Sequence, residues 1–88
     1  MIKTLMDFQS SLDDIIARLR PVRTDGLLTE EGIRTYEACY RLSELAEFHD
    51  DFQSFAEDED VKEVFKNFRD CRKVKQAEDF LNKKIASK

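Results

Sequence analysis

Few residues in this sequence carry the chemistry of an active site. His49 is the one histidine, so a Cys-His or Ser-His nucleophile pair would have to include it. Cys39 and Cys71 are further candidates, but both fall near apolar positions of helical patterns, where we expect them to be buried. The sequence therefore predicts no catalytic residue and a protein that is not an enzyme.

Metal and cofactor sites are equally poorly supported. His49, Asp50 and Asp51 are adjacent potential donors, but the chain lacks the additional His and Asp ligands that such a site needs. The acidic run at 57–60 has neither the alternating ligands nor the central glycine of a calcium loop. Gly26 and Gly32 stand alone, without the Lys-Ser/Thr pair of a phosphate-binding loop. We expect no metal and no cofactor.

Charge is distributed very unevenly along the chain. Residues 61–88 hold nine Lys/Arg against four Asp/Glu, whereas residues 1–60 hold six against fifteen. The basic part has a stripe at spacings of four, three and four residues, which places its members on one face of a helix. Those residues are Lys62, Lys66, Arg69 and Lys73. They could contact nucleic-acid phosphates, or they could face water or the acidic helices of the same bundle.

The acidic part predicts a basic protein partner instead. The acidic candidates for this contact are Asp50, Asp51, Glu57, Asp58, Glu59 and Asp60. The aromatic candidates are Tyr36, Tyr40 and Phe80. Complementary charge would speed association and select the partner, while aromatic side chains would supply most of the affinity. The acidic run at 57–60 also has a simpler interpretation, as helix caps and solvated charge.

These patterns lead to one main functional hypothesis and one alternative. The main hypothesis is a small acidic helical protein that binds a protein partner as a regulator or inhibitor. The alternative is a nucleic-acid-associated regulator that contacts phosphates through the basic stripe, although the net charge of −4 opposes binding to phosphate. Self-association as a homodimer remains open.

The elements that must position these residues are helices. The 88 residues fit one domain, and two glycines and one proline with 39% charged residues are typical of long helices. We therefore predict an all-α fold, a bundle of three or four amphipathic helices with short connections, over residues 1–88. The first helix should cover about residues 2–19, from the apolar spacing of Leu5, Phe8, Leu12, Ile15 and Leu19. Pro21 should end it.

A second helix should begin after a turn at residues 24–26, with Thr29 as its N-cap. Ile33, Tyr36 and Tyr40 mark one of its apolar faces. Residues 29–57 could form one helix or two, and the adjacent Asp50 and Asp51 favour a break there, with one of them capping a short separate helix.

The last helix should follow the acidic run, with Asp60 and Glu63 at capping-box spacing. Its apolar stripe shifts register after Cys71, which indicates a bend or a new neighbour near residues 71–76. Phe80 falls on the face of Lys62 and Lys73 and so could be exposed.

The sequence also bears on location. No apolar run approaches the roughly 18 residues that span a membrane, and the first residues lack the apolar stretch and cleavage site of a signal peptide. We expect a cytoplasmic protein with reduced thiols and no membrane partner.

Overall fold

Helices make up the described part of the chain. A computed structural model describes residues 4–24 and 30–86, with side chains at 4–19 and 30–86. Its helices are α1 (Leu5–Thr24), α2 (Glu30–Ala46), α3 (Phe52–Glu57), α4 (Glu59–Asn67) and α5 (Arg72–Ala86). This confirms the all-α bundle. The described ranges hold five helices rather than three or four, because the predicted last helix is two helices, α4 and α5.

The first helix begins with a reciprocal cap and ends later than predicted. The backbone N–H of Thr4 donates to Asp7 Oδ2 and that of Asp7 donates to Thr4 Oγ1, each at 3.2 Å. At the other end α1 runs to Thr24, so the prediction that Pro21 ends it is wrong. Proline lacks one amide donor, but its fixed φ is compatible with helical backbone, and the helix continues for one more turn. The predicted turn therefore begins inside α1, while its other residues and the Thr29 cap lie outside the described residues.

The second helix packs mainly on α1, and the face that it buries is built from small residues. Its buried residues are Thr35, Ala38, Cys39, Leu42, Ser43 and Ala46. Two hydrogen bonds fix the pairing: Gln9 Nε2 donates to the Ser43 carbonyl at 3.0 Å, and Ser43 Oγ donates to Asp13 Oδ1 at 2.6 Å. The apolar face marked by Ile33 and Tyr40 is not the buried one, because both are exposed. The small side chains on the buried face of α2 allow α1 and α2 to pack closely together.

The predicted break near His49 is present. Asp51 is the N-cap of α3, and its Oδ1 accepts a hydrogen bond from the Ser54 N–H at 2.7 Å. Asp58 then separates α3 from α4: its N–H donates to the Phe55 carbonyl, and its Oδ1 accepts from the Asp60 N–H at 2.8 Å. The cap of α4 is therefore Asp58. The capping-box spacing had predicted Asp60, and that prediction is wrong.

A second break explains the shift in apolar register after Cys71. The fourth helix ends at Asn67, residues 68–71 form a turn, and α5 begins at Arg72. Val61, Val64 and Phe65 on α4 and Val74 and Leu81 on α5 are all buried. One straight helix would have pointed these two stripes in different directions, whereas the turn lets both face the core.

Aromatic rings join the helices at the centre of the core. The Phe8 ring lies 6.1 Å from Phe52, 5.8 Å from Phe55 and 5.9 Å from Phe80, measured between ring centroids. The first two pairs are edge-to-face and the third is stacked. Such pairs contribute about 0.5–1.5 kcal/mol each beyond the area they bury. The cluster connects α1, α3 and α5. In the same ranges, no helix is both long enough and apolar enough to cross a bilayer.

Candidate protein-binding surface

The acidic run at 57–60 is mainly occupied with intramolecular contacts. Glu57 Oε1 accepts a hydrogen bond from Gln53 Nε2 at 2.7 Å, and Glu59 lies 3.6 Å from the Lys62 ammonium. Asp58 caps two helix ends and also contacts His49. Asp60 is exposed and lines a groove between α2 and α4 together with Glu37 and Arg41 of α2. Three of the four residues of this run therefore already have intramolecular partners.

His49 holds the segment between α2 and α4 together. Its Nδ1 lies 2.7 Å from Ser54 Oγ and its Nε2 lies 2.7 Å from Asp58 Oδ2. The hydrogen bond from His49, followed by the backbone N–H of Asp60, holds the pKa of Asp58 below its ordinary value of 3.8. In serine hydrolases the serine contacts Nε2 and the aspartate Nδ1, so the order here is the reverse. The arrangement anchors the short helix α3.

The other predicted acidic pair is divided between two roles. Asp51 caps α3 through the Ser54 N–H, as described above. Asp50 is exposed, as are the side chains of Glu47 and Phe48 just before it. Only Asp50 of this pair is available to a partner without competing with a helix cap.

The predicted basic stripe does not lie on one helix. Lys62 and Lys66 are on α4, Arg69 is in the following turn and Lys73 is on α5. Arg69 forms two hydrogen bonds to the Glu78 carboxylate, from Nε at 3.2 Å and Nη2 at 3.0 Å. The prediction of one continuous face failed because the helix ends at Asn67. The break had a visible signal, which was the register shift of the apolar residues.

The turn between α4 and α5 is clamped by the start of α2. Arg34 Nη2 donates to the Asn67 carbonyl at 2.8 Å and to Asp70 Oδ1 at 3.1 Å, and its guanidinium lies 4.8 Å from the Phe68 ring centroid. Glu31 Oε1 accepts a hydrogen bond from the Arg72 N–H at 3.3 Å, where the N-terminus of α5 favours negative charge. The basic segment is thus partly neutralised from within the bundle.

The exposed side of α2 gathers acidic and apolar side chains at helical spacing. We call this surface the α2 outer face, and its residues are Ile33, Glu37, Tyr40, Glu44 and Glu47. The first four recur at steps of four, three and four, so they share one side of the helix, and Glu47 follows directly after the helix ends. Ile33 is 41% exposed and Tyr40 is 46% exposed. The Tyr40 ring stacks on Tyr36 at 6.3 Å, which limits its freedom before any partner binds.

A groove between α1 and α2 borders this face. It has a volume of about 410 Å³, and its polar lining includes the carboxylates of Asp13, Glu44 and Glu47 beside the Tyr40 ring. An aromatic ring with carboxylates around it suits a Lys or Arg side chain, because the cation gains both ion pairing and contact with the ring face.

Sequence reasoning found some of this surface and missed the rest. Tyr36 and Tyr40 were predicted as contact residues, and Tyr40 lies at the centre of the α2 outer face. Phe80, by contrast, is half-buried against the core cluster, stacked on Phe8, so the expectation that it is exposed is wrong. Phe48 follows the apolar spacing of Leu45 and Phe52 in the sequence, yet it is 80% exposed. The acidic spacing of Glu37, Glu44 and Glu47 was the signal that could have located the outer face.

The comparisons with known proteins assign no family to this chain. No family model matches its sequence, no curated protein matches it, and no solved structure matches it at a significant level.

Proposed function

We propose that this protein is non-enzymatic and binds a basic protein partner as a regulator or inhibitor, through the α2 outer face. The observation that carries the proposal is the combination of exposed apolar and acidic side chains on one helix. Among the described residues the large exposed apolar side chains are Met6, Ile33, Tyr40 and Phe48, and three of these four lie on α2 or directly after it. These apolar side chains stay in contact with water in the folded protein, and a partner that covered them would remove this unfavourable exposure.

The carboxylates supply the other half of the proposal. Glu37 and Glu44 are exposed and form no ion pair within the described ranges. Unpaired negative charges on a surface accelerate the approach of a positively charged partner and disfavour acidic ones. Tyr40 and Ile33 would then supply contact area, with Phe48 extending it at the end of the helix. We include a cytoplasmic location in the proposal, since Cys39 and Cys71 are both free thiols.

Nucleic-acid binding remains the alternative, but the geometry supports it less well. The four residues of the basic stripe are spread over two helices and a turn, and Arg69 is already held by Glu78. Lys66 and Lys73 are exposed and have no ion-pair partner in the described part of the chain. These two lysines are therefore the ones whose reversal tests the alternative.

Affinity capture from an extract of the source cells would test both hypotheses. The tagged wild type would be compared with Glu37→Lys/Glu44→Lys, and a matched control of equal charge change would be Glu57→Lys/Glu63→Lys, all with and without nuclease. Lys66→Glu/Lys73→Glu would be captured in parallel.

The proposal expects a stoichiometric protein that survives nuclease, is lost from the α2 variant and is retained by both other variants. Equal recovery of that protein by the α2 variant and its control would overturn the assignment to α2. Recovery of nucleic acid that depends on Lys66 and Lys73, with all proteins lost after nuclease, would replace the proposal with the alternative.

A further inference from the structure

A second groove lies on the opposite side of α1, between α1 and α5. Its volume is about 190 Å³ and its apolar lining is formed by Phe8, Leu12 and Ile15 from α1 and by Ala77 and Phe80 from α5. Phe8 and Leu12 are buried core residues, while Ile15, Ala77 and Phe80 are partly exposed. The first helix packs chiefly on α2 and makes few contacts with α5, which leaves this groove between α1 and α5.

The α5 side of this groove is basic. Lys73 lines it and is exposed, with no ion-pair partner among the residues that the structure describes. The Lys84 ammonium lies 5.6 Å from the Phe80 ring centroid, although Lys84 is not part of the groove lining. The groove thus has an apolar floor and a cationic group, Lys73, at one edge. That chemistry fits a helix that carries apolar and acidic side chains on one face.

We infer that the occupant is the α2 outer face of a second copy of this chain. That face has the complementary features: Glu37 and Glu44 are unpaired carboxylates, Tyr40 is an exposed apolar side chain between them, and Ile33 is another one turn before Glu37. A carboxylate of that face would pair with Lys73, and the apolar side chains would cover the groove floor. The inference uses the α2 outer face of the proposed function and adds a receptor for it on the same molecule.

The lengths of the two contacting segments agree. Positions 73–80 of α5 line the groove and positions 37–44 of α2 carry the two carboxylates, and each segment extends about 12 Å at the helical rise of 1.5 Å per residue. Two different surfaces meet in this contact, so it is heterologous and generates either a closed ring or an open chain of copies. One helix in one groove is a small interface, so the association should be weak, concentration-dependent and sensitive to salt.

Sedimentation velocity of the purified protein alone would test this inference. The groove variant is Lys73→Glu/Gln76→Glu, which changes two exposed residues of the lining. Its control is Lys66→Glu/Asn82→Asp, which changes charge equally on exposed positions outside the groove. The α2 variant is again Glu37→Lys/Glu44→Lys, and far-UV circular dichroism would show that each variant is folded.

We expect the wild type and the control to self-associate, and each of the other two variants to do so at least about tenfold more weakly. Mixing the groove variant with the α2 variant should restore association, because each reversed surface then meets its complement. A wild type that stays monomeric at all concentrations would overturn the inference, as would equal association of the groove variant and its control. No partner from the extract is needed, so this result is independent of the capture experiment.

Discussion

His49 Nε2 and Asp58 Oδ2 lie 2.7 Å apart, and this contact joins the segment between α2 and α3 to the junction of α3 and α4. Asp58 is the C-cap of the six-residue α3 and the N-cap of α4 at the same time. A helix as short as α3 has little stability of its own, so its position depends on such contacts at both ends. The pair therefore fixes the backbone between Phe52 and Phe55, two members of the aromatic core.

Two substitutions of Asp58 should separate the stability that comes from helix capping from the stability that comes from its negative charge. Asp58→Ala loses both and should lower the free energy of unfolding by about 1–2 kcal/mol. Asp58→Asn keeps a good capping side chain and should cost less, but it removes the group whose pKa is lowered in the folded state. The stabilisation from the ionised carboxylate is complete above its ordinary pKa of 3.8 and is lost as the pH falls through the lower folded-state pKa.

Urea unfolding at a series of acidic pH values would measure this difference. The wild type should lose stability more steeply than Asp58→Asn as the solution is acidified, and Asp50→Asn, at an exposed position, should follow the wild type. Parallel curves for the wild type and Asp58→Asn would contradict the role assigned to the His49–Asp58 contact.

Arg34 should matter more to stability than its ion pair with Asp70 suggests. Lysine at this position would lose the planar group that reaches the Asn67 carbonyl and covers the Phe68 ring. The Asp70 side chain is 67% exposed, so its pairing with Arg34 contributes little. In thermal unfolding we expect Arg34→Lys to lower the Tm clearly more than Asp70→Asn does. Arg41→Lys, at an exposed position on the same helix, is the control and should leave the Tm unchanged.

The fold class was accessible from sequence because apolar spacing and helix breakers act locally. The spacing of Leu5, Phe8 and Leu12 predicted α1, and the adjacent aspartates predicted the break that Asp51 now caps. Burial of Cys39 and Cys71 was predicted from the same stripes and is confirmed.

What the sequence did not reveal depends on contacts between distant residues. The end of α4 is fixed by Arg34, which lies 33 residues before Asn67, and no local pattern reports such a contact. The buried face of α2 was missed because Thr35, Ala38 and Ser43 are small or polar and do not form a clear apolar pattern. Their small size nevertheless allows close packing on α1. The exposed face of α2 was missed for the same reason, since identifying the buried face also identifies the exposed one.

Phe48 and Phe52 provide a direct test of the difference between an apolar residue that is buried and one that only follows the apolar spacing. Both belong to one apolar stripe in the sequence, yet Phe52 is 9% exposed and Phe48 is 80% exposed. Phe52→Ala should lower the free energy of unfolding by about 3 kcal/mol, whereas Phe48→Ala should change it by less than about 0.5 kcal/mol. Chemical denaturation of the two variants would measure this, and similar losses for both would show that Phe48 is packed in the core.

Cys39 should make the folded state sensitive to alkaline pH. Burial raises the pKa of its thiol from 9.0 to about 11, with a smaller raising contribution from Cys71 and an opposing one from Lys73. Between these two values the thiol ionises in the unfolded chain but stays neutral in the folded one, so ionisation favours unfolding. The stabilising effect of the neutral Cys39 thiol is therefore complete below pH 9 and declines as the pH rises towards about 11.

At about pH 10 the loss of stability from ionisation of the Cys39 thiol should be about 1 kcal/mol. The measurement is the difference between the wild type and Cys39→Ala in urea unfolding at neutral and alkaline pH, which isolates the contribution of this thiol. The wild type should lose the extra stability and Cys39→Ala should not, and equal losses in the two proteins would place the Cys39 thiol in contact with water.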